Sequence, residues 1–344
     1  MVSSRVDWVD VAKGLCIVFV VMMHSTHGVE RVVGETGWMG HVVAFAQPFR
    51  MPDFFLISGL FLSRVVDRDW RTFADRRIVH FFYFYLLWLV IQFAFRAPGL
   101  VGEFGVGGAA LHFVEALFIE PFGTLWFIWI LPFFALIVRL VRHVPVPLVF
   151  AVAAVLEIAP AGLPLPILDE FLSRFVYFYA GYAFAPWIFS FADQVAARPG
   201  AAVAGLGLWA VVNGAFVAAG AAQLPFLSLG LGFLGAAAIV ASAVLIGRTV
   251  RPGAVARFLG SHSIVVYLAF FLPMGITRTV LVKTGLVPDV GTMSLIVTVA
   301  SVIGPLVIWW IAMRTGARFL FERPAWARLE RPRAAARPRF VAAE

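Results

Sequence analysis

The sequence predicts an all-α integral membrane protein, a bundle of about ten transmembrane helices with both termini cytoplasmic, and three observations carry that expectation. Of its 344 residues, 62% are hydrophobic and only 13% are charged, with a mean hydropathy of +0.93; soluble domains carry roughly 25% charged residues. Ten apolar segments reach or approach the length of about 20 residues needed to cross a hydrocarbon core of about 30 Å. The basic residues gather in short stretches between those segments, as they do in loops held on the cytoplasmic side.

Taken in order, the segments are 9–27, 40–62, 78–95, 122–141, 145–159, 170–189, 200–221, 224–247, 259–282 and 293–313. The segment 145–159 is the weakest, being short and opened by Pro145 and Pro147. Residues 199–247 carry no charge and are interrupted by Gln223 and Pro225, which reads as a helical hairpin. With the N-terminus inside, 21 Lys and Arg fall on the inner side and 3 on the outer, while Arg50, Arg174 and Arg278 lie within spans. That asymmetry sets the orientation, with the 63–77 loop inside and residues 99–108 in an outer loop. Asp7 and Asp10 precede the first apolar run and no small-residue cleavage site closes it, so no cleavable signal is expected. Residues 1–325 form the membrane domain, and the Arg-, Pro- and Ala-rich residues 326–344 are expected as a basic, disordered tail near anionic lipid headgroups.

This composition excludes a separate soluble catalytic domain. Cys16 is the one cysteine, which excludes an intramolecular disulfide and a Cys-based zinc site. The net charge of +8 marks topology rather than a nucleic-acid partner. His24, His27 and Glu30 have a spacing that a helix could turn toward a metal, but two of them lie at the helix end and no thiolate is available, so no metal is expected.

Polar groups inside a bilayer are costly unless paired, so each one is a candidate for function. Lys13 and His24 are eleven residues apart; at 100° per residue this brings them within about 20° of one stripe and about 16 Å apart along the helix. Asp10, three residues before Lys13, shares that side. Taken alone the set reads first as an interfacial ion pair with a satisfied histidine, and it also suits a cationic entrance with a titratable imidazole beyond it. In PFRMPDFFLISG, Arg50 and Asp53 share a helical face loosened by Pro48 and Pro52. They are either a self-compensating ion pair or groups facing a substrate. Arg76 and Arg77 serve membrane anchoring and phosphate binding equally well.

From Asp10, Lys13 and His24 onward the motifs resemble those of the acyltransferase 3 family of multi-pass membrane O-acyltransferases. Residues 52–59 (PDFFLISG) resemble its Pro-x-Phe-Phe-x-x-Ser-Gly stretch, and Arg76 with Arg77 its basic cluster. GTLWFIWIL around Trp126 is similar to its Leu-Trp-Phe motif and RFVYFYAGYAF to its aromatic-Gly motif. LGSHSIVVYL resembles a late Ser-x-x-x-Tyr, and Glu322, Arg323 and Pro324 resemble its closing triplet. Three positions depart from the pattern: His80 replaces a second arginine of the cluster, Ala269 and Phe270 stand where many members have a histidine, and Asp53 occupies a commonly apolar place. The resemblance implies transfer of an acyl group, acetyl first among the expectations, from cytoplasmic acyl-CoA to a hydroxyl of a cell-envelope carbohydrate. It implies His24 as general base, with Lys13, Arg76 and Arg77 holding the phosphates of coenzyme A and Asp10 supporting Lys13. Arg50, Asp53 and Trp126 are expected to bind the acceptor or stabilise the oxyanion. Acyl-CoA would be a co-substrate, no cofactor is expected to bind tightly, and the location is the cytoplasmic membrane. The alternative is a transporter or flippase of a lipid-linked sugar, for which the Pro-broken helices and Gly-rich spans also suit.

Overall fold

Long apolar runs punctuated by Pro and Gly become helices broken at those residues in the computed structural model, which describes residues 6–121, 123–159 and 165–329. Every regular element among them is helical. α1 (Asp7–Val33) runs six residues beyond the expected end at 27, stopping where Gly34 takes φ 84° and its N–H bonds the Glu30 carbonyl. The expected span 40–62 is instead α2 (Trp38–Ala46) and α3 (Arg50–Gly59), parted at Pro48, which has no N–H to continue the ladder.

The expected inner loop 63–77 is structured as α4 (Ser63–Val66), α5 (Trp70–Ala74) and a π-helical turn, Asp75–Val79. Asp69 caps α5 by accepting from the Thr72 N–H at 3.0 Å, and this bond holds its carboxyl below the ordinary range. α6 (His80–Phe118) contains the residues 99–108 that were expected as a loop. They are helical on both sides of Gly105, whose φ of 71° turns the chain back. Phe113 thereby meets Phe93 with ring centroids 4.8 Å apart, and the Tyr85 hydroxyl donates to the Ala116 carbonyl.

α7 (Trp126–Val141) and α8 (Val146–Ile158) are shorter apolar helices. α9 (Pro166–Ala183) and α10 (Ala185–Ala197) meet at 75°, with Pro186 at the start of α10 where its missing N–H breaks no bond. The expected hairpin is present as α11 (Pro199–Ala218) and α12 (Leu227–Gly247). α13 (Arg251–Ser261) leads into α14 (Ser263–Ala269) and α15 (Phe271–Thr284), the last two bent by 53°, and α16 (Val290–Arg314) follows.

The described residues thus hold five helices long and apolar enough to cross a membrane, or seven when each bent pair counts as one, in place of ten continuous spans. Each expected segment is helical, but Pro48, the bends beside Phe184 and Phe270, and the short α7 and α8 break the continuity that hydropathy suggested.

α1 is the axis of the bundle, packed by α3, α12, α13 and α16, and Val11, Ala12, Cys16, Ile17 and Val21 are wholly buried. Its approach to α13 is backbone against backbone: a Cβ on Gly260 would run into the Asp10 carbonyl, and one on Gly14 into the Ala256 carbonyl. Small residues allow such contact in membranes, where packing rather than water exclusion holds helices together. Gly59 and Gly181 do the same for α3 and α9.

Residues after α16 strap across α5, the π turn and α6. Trp88 Nε1 donates to the Leu320 carbonyl at 2.9 Å and the Tyr83 hydroxyl to Phe319 at 2.8 Å. Arg323 donates to the Asp75 carboxylate at 2.6 Å and to its carbonyl at 2.8 Å, with both side chains nearly buried. Of the expected tail, residues 326–329 belong to this strap: the Leu329 N–H donates to Asp75 Oδ1 at 2.5 Å, and Arg71 Nε donates to the Leu329 carbonyl at 2.7 Å. The remainder lies outside the described residues.

Candidate functional site

α1 meets a cavity at each of two levels, with Asp10 and Lys13 lining one and Met23 the other. At the end where α1 begins, a cavity of about 530 Å³ is lined by Asp10, Lys13, Arg64, Arg77, Ser58 and Tyr267 among others. The Lys13 ammonium lies 3.5 Å from Asp10 Oδ1, the i,i+3 pair expected from their spacing. Arg77 donates from Nη2 to the Phe61 carbonyl at 3.1 Å, while its buried Nε has no hydrogen bond. Arg64 lies over the Phe61 ring, 4.5 Å from the centroid. Arg76 is exposed and is not among the lining residues, since consecutive residues of a helical turn point in different directions. Arg64, counted in the sequence only for topology, takes its place beside Lys13.

The same end gathers the other basic loops. Arg139 donates to the Val66 carbonyl at 2.6 Å and lies over the rings of Trp70 and Phe73; Arg142 pairs with Asp67 at 3.5 Å. These arginines tie α7 to the 63–77 segment and line neither cavity.

Toward the other end, a cavity of about 560 Å³ is lined by Arg50 and Trp126, as expected, and by Glu120, Glu157, Glu170, Arg174 and Tyr177. Arg174 Nε donates to Glu170 at 2.8 Å, and the Tyr177 hydroxyl donates to Glu157 at 3.3 Å. Sequence reasoning missed this acidic and aromatic wall. The available signal was the spacing of Glu170, Ser173, Arg174 and Tyr177, which puts all four on one face of α9.

His24 is half-buried on α1, with its ring against Phe270 at a centroid distance of 5.4 Å. It lines neither cavity; its chain neighbour Met23 lines the second. Phe270 therefore fills the space beside His24 at the position where the resemblance led one to look for a second histidine. His27 pairs with Glu30 at 3.6 Å, and no group of three or more metal-ligating side chains is assembled among the described residues.

Arg50 and Asp53 do not form the ion pair that their spacing allowed. Arg50 turns into the cavity with Nε and Nη1 lacking hydrogen bonds, and Asp53 is wholly buried beside the Cys16 thiol, with neither oxygen in a well-formed hydrogen bond. The reason is local: the turn before α3 places Arg50 at the helix start, open to the cavity, while Asp53, a turn later, faces α1.

The motifs read from the sequence join across the fold. Tyr267 of α14 donates its hydroxyl to the Thr124 carbonyl and accepts from the Ile128 N–H at 3.3 Å, fixing the irregular segment before α7 and capping the helix that carries Trp126 and Phe127. Gln92 supports the same segment through Thr124 Oγ1 at 3.1 Å. Non-helical backbone inside a membrane is tolerated where protein satisfies it in this way.

Residues 6–314 match the acyltransferase 3 family, described as an acyltransferase domain. An 88-residue stretch is 34% identical to the inner membrane protein YcfT of Escherichia coli (strain K12), covering 22% of this chain and 24% of that protein, so the likeness spans about a quarter of the relative's length. No solved structure matches. The family match takes in Lys13, His24, Arg50, Trp126, Tyr177 and Tyr267, and with them every helix that walls the two cavities; the chain belongs to the acyltransferase 3 family and is a multi-pass membrane protein.

Proposed function

We propose that this acyltransferase moves an acyl group, acetyl in the simplest case, from cytoplasmic acyl-CoA to a hydroxyl of a cell-envelope carbohydrate. The observation that supports this reading is the pair of unlike cavities against one helix, a basic one at Lys13 and a mixed-charge, hydroxyl-lined one at Met23, the chain neighbour of His24. Lys13, Arg64 and Arg77 hold the donor phosphates by charge-assisted hydrogen bonds. The carboxylates of Glu157 and Glu170 and the hydroxyl of Tyr177 offer acceptors and a donor to sugar hydroxyls. His24, neutral at the start, takes the proton of the attacking hydroxyl as its oxygen bonds to the thioester carbonyl carbon. The guanidinium of Arg50 stabilises the oxyanion that forms. Collapse breaks the C–S bond, and the coenzyme A thiolate leaves and takes up the proton from His24. General base catalysis of this kind contributes about 10² to 10⁴ in rate.

The basic end is cytoplasmic in this reading, and the location is the inner membrane, the location given in the name of the E. coli relative. A reporter fused after Glu344 then reads cytoplasmic and one inserted at Gly105 reads external. The decisive experiment incubates the purified protein with acetyl-CoA and cell-envelope saccharides and follows free thiol. Release of thiol coupled to acetylated saccharide is expected; a protein that releases none is better read as a carrier of lipid-linked sugars.

A further inference from the structure

Arg77, which lines the basic cavity, belongs to the five-residue π turn Asp75–Val79. Turns of this kind are rare and recur at functional sites. What holds this one comes from the far end of the sequence. Arg323, 248 residues away, donates to the Asp75 main-chain carbonyl at 2.8 Å and to Oδ2 at 2.6 Å, while the Leu329 N–H donates to Oδ1. The bonds to the side chain satisfy a nearly buried carboxylate, as a buried charge requires. The bond to the carbonyl grips the backbone of the turn itself, two residues before Arg77.

Arg77 depends on that backbone for its place. Its side chain is tied at one point, from Nη2 to the Phe61 carbonyl at 3.1 Å, and its buried Nε has no hydrogen bond. No ion pair among the described residues includes it. On the other side of Arg77 in sequence, α6 is tied to the same strap by Tyr83 and Trp88. The cavity arginine therefore stands between two attachments to the strap, of which the one at Asp75 is the nearer and the only one made by a charged pair.

Resting on the acyl-CoA reading above, we infer that Arg323 is a positioning residue for the donor: by holding Asp75 it fixes the turn from which Arg77 reaches the donor phosphates. Arg323 lines neither cavity, so it acts through Arg77. Its effect is accordingly confined to donor affinity. Acceptor binding in the opposite cavity and proton transfer at His24 do not pass through it.

The test measures binding of coenzyme A by calorimetry to the purified full chain in lipid nanodiscs. Unfolded protein lowers the stoichiometry there and leaves the affinity of the folded remainder unchanged, so a clamp that merely stabilises the fold would not move the affinity. Arg323→Ala is expected to weaken binding about 5-fold, less than Arg77→Ala, because the guanidinium of Arg77 remains but loses its alignment. Arg323→Lys keeps a cation and a donor for Asp75 and should recover part of that loss. Tyr83→Phe removes a different bond to the strap and should bind as the wild type does. The decisive comparison is a double-variant cycle: Arg323→Ala should add little to Arg77→Ala but its full factor to Lys13→Ala. Unchanged affinity in Arg323→Ala, or an equal factor with and without Arg77, overturns the positioning role and leaves the donor reading intact. A loss in Tyr83→Phe as large as that in Arg323→Ala also overturns it, by assigning the effect to the strap as a whole. A wild-type protein that binds no coenzyme A overturns the acyl-CoA reading and this inference with it.

Discussion

The two cavities are of similar volume but solve the problem of charge in a membrane by different means. The opposite cavity sets acids against bases: Glu170 holds Arg174 at 2.8 Å, Glu157 receives the Tyr177 hydroxyl, and Arg50 and Glu120 also line it. The basic cavity has one acidic partner, Asp10, for Lys13, Arg64 and Arg77, and the buried Nε of Arg77 has no hydrogen bond. A wall that mixes both signs of charge with hydroxyls suits a ligand that is uncharged and rich in hydroxyls. An excess of cations around apolar residues suits one that brings its own negative charge and an apolar or neutral body. The difference teaches that charge content distinguishes the sites less well than charge left over after internal pairing.

That contrast can be broken or sharpened by substitution. The largest effect is expected outside both cavities, at the strap that closes the basic end. Arg323→Ala removes the guanidinium from the nearly buried Asp75 carboxylate, which keeps the Leu329 N–H, at a cost of up to about 3 kcal/mol. The loss should appear as a lower midpoint of thermal unfolding, and recovery in an Asp75→Asn, Arg323→Ala double variant would show that the pair, not the loop, carries it.

Next is His24, where the two cavities would be joined chemically. His24→Gln is expected to lower kcat by about 10² or more with both KM values little changed, since the amide retains a donor and an acceptor but cannot take up the proton. In the wild type kcat should rise with pH to a plateau as the imidazole loses its proton. A Gln variant that acetylates at the wild-type rate would make His24 a packing residue against Phe270.

At the basic cavity, Lys13→Ala and Arg77→Ala should each raise the donor KM about 10-fold or more and leave the acceptor KM alone. Arg76→Ala, outside the lining, should change neither. An Arg76 effect as large as that of Arg77 would mean that the cavity extends around the π turn. The smallest effect is expected opposite: Tyr177→Phe removes one hydrogen bond to Glu157 and should raise the acceptor KM about 5-fold, without altering the donor KM.

Much of this was legible from the chain alone. The spacing of Asp10, Lys13 and His24 placed the pair and the distant imidazole on one helix because an α-helix has a fixed period, and α1 is unbroken over that stretch. The charge-free run 199–247 became a hairpin because Gln223 and Pro225 interrupt it where they stand. What hydropathy could not register was continuity. Pro48 parts α2 from α3, and Gly105 turns α6 back on itself within stretches of uniform apolarity. Arg50 and Asp53 were correctly singled out as costly, but their partnership depended on which neighbours α3 meets, and this is decided by α1 and α9 far away in sequence. Glu157, Glu170 and Arg174 were hidden for the same reason: they come together only once α8 and α9 pack side by side. Arg64 and Arg76 illustrate the limit most simply. Both were basic loop residues, and where α4 and the π-helical turn sit in the fold decides which faces the cavity.

The contact of Gly260 with the Asp10 carbonyl bears on how the protein is made. α1 leaves the ribosome first, but its closest neighbours, α13 and α16, are in the last third of the chain. At about 5 to 20 residues per second, α1 waits in the bilayer for more than ten seconds before α13 exists. Until then Gly14 faces lipid or a temporary neighbour, and Asp10 and Lys13 have little but each other. The basic cavity is therefore among the last features of the molecule to form, and an incomplete chain would be an inserted helix array without it.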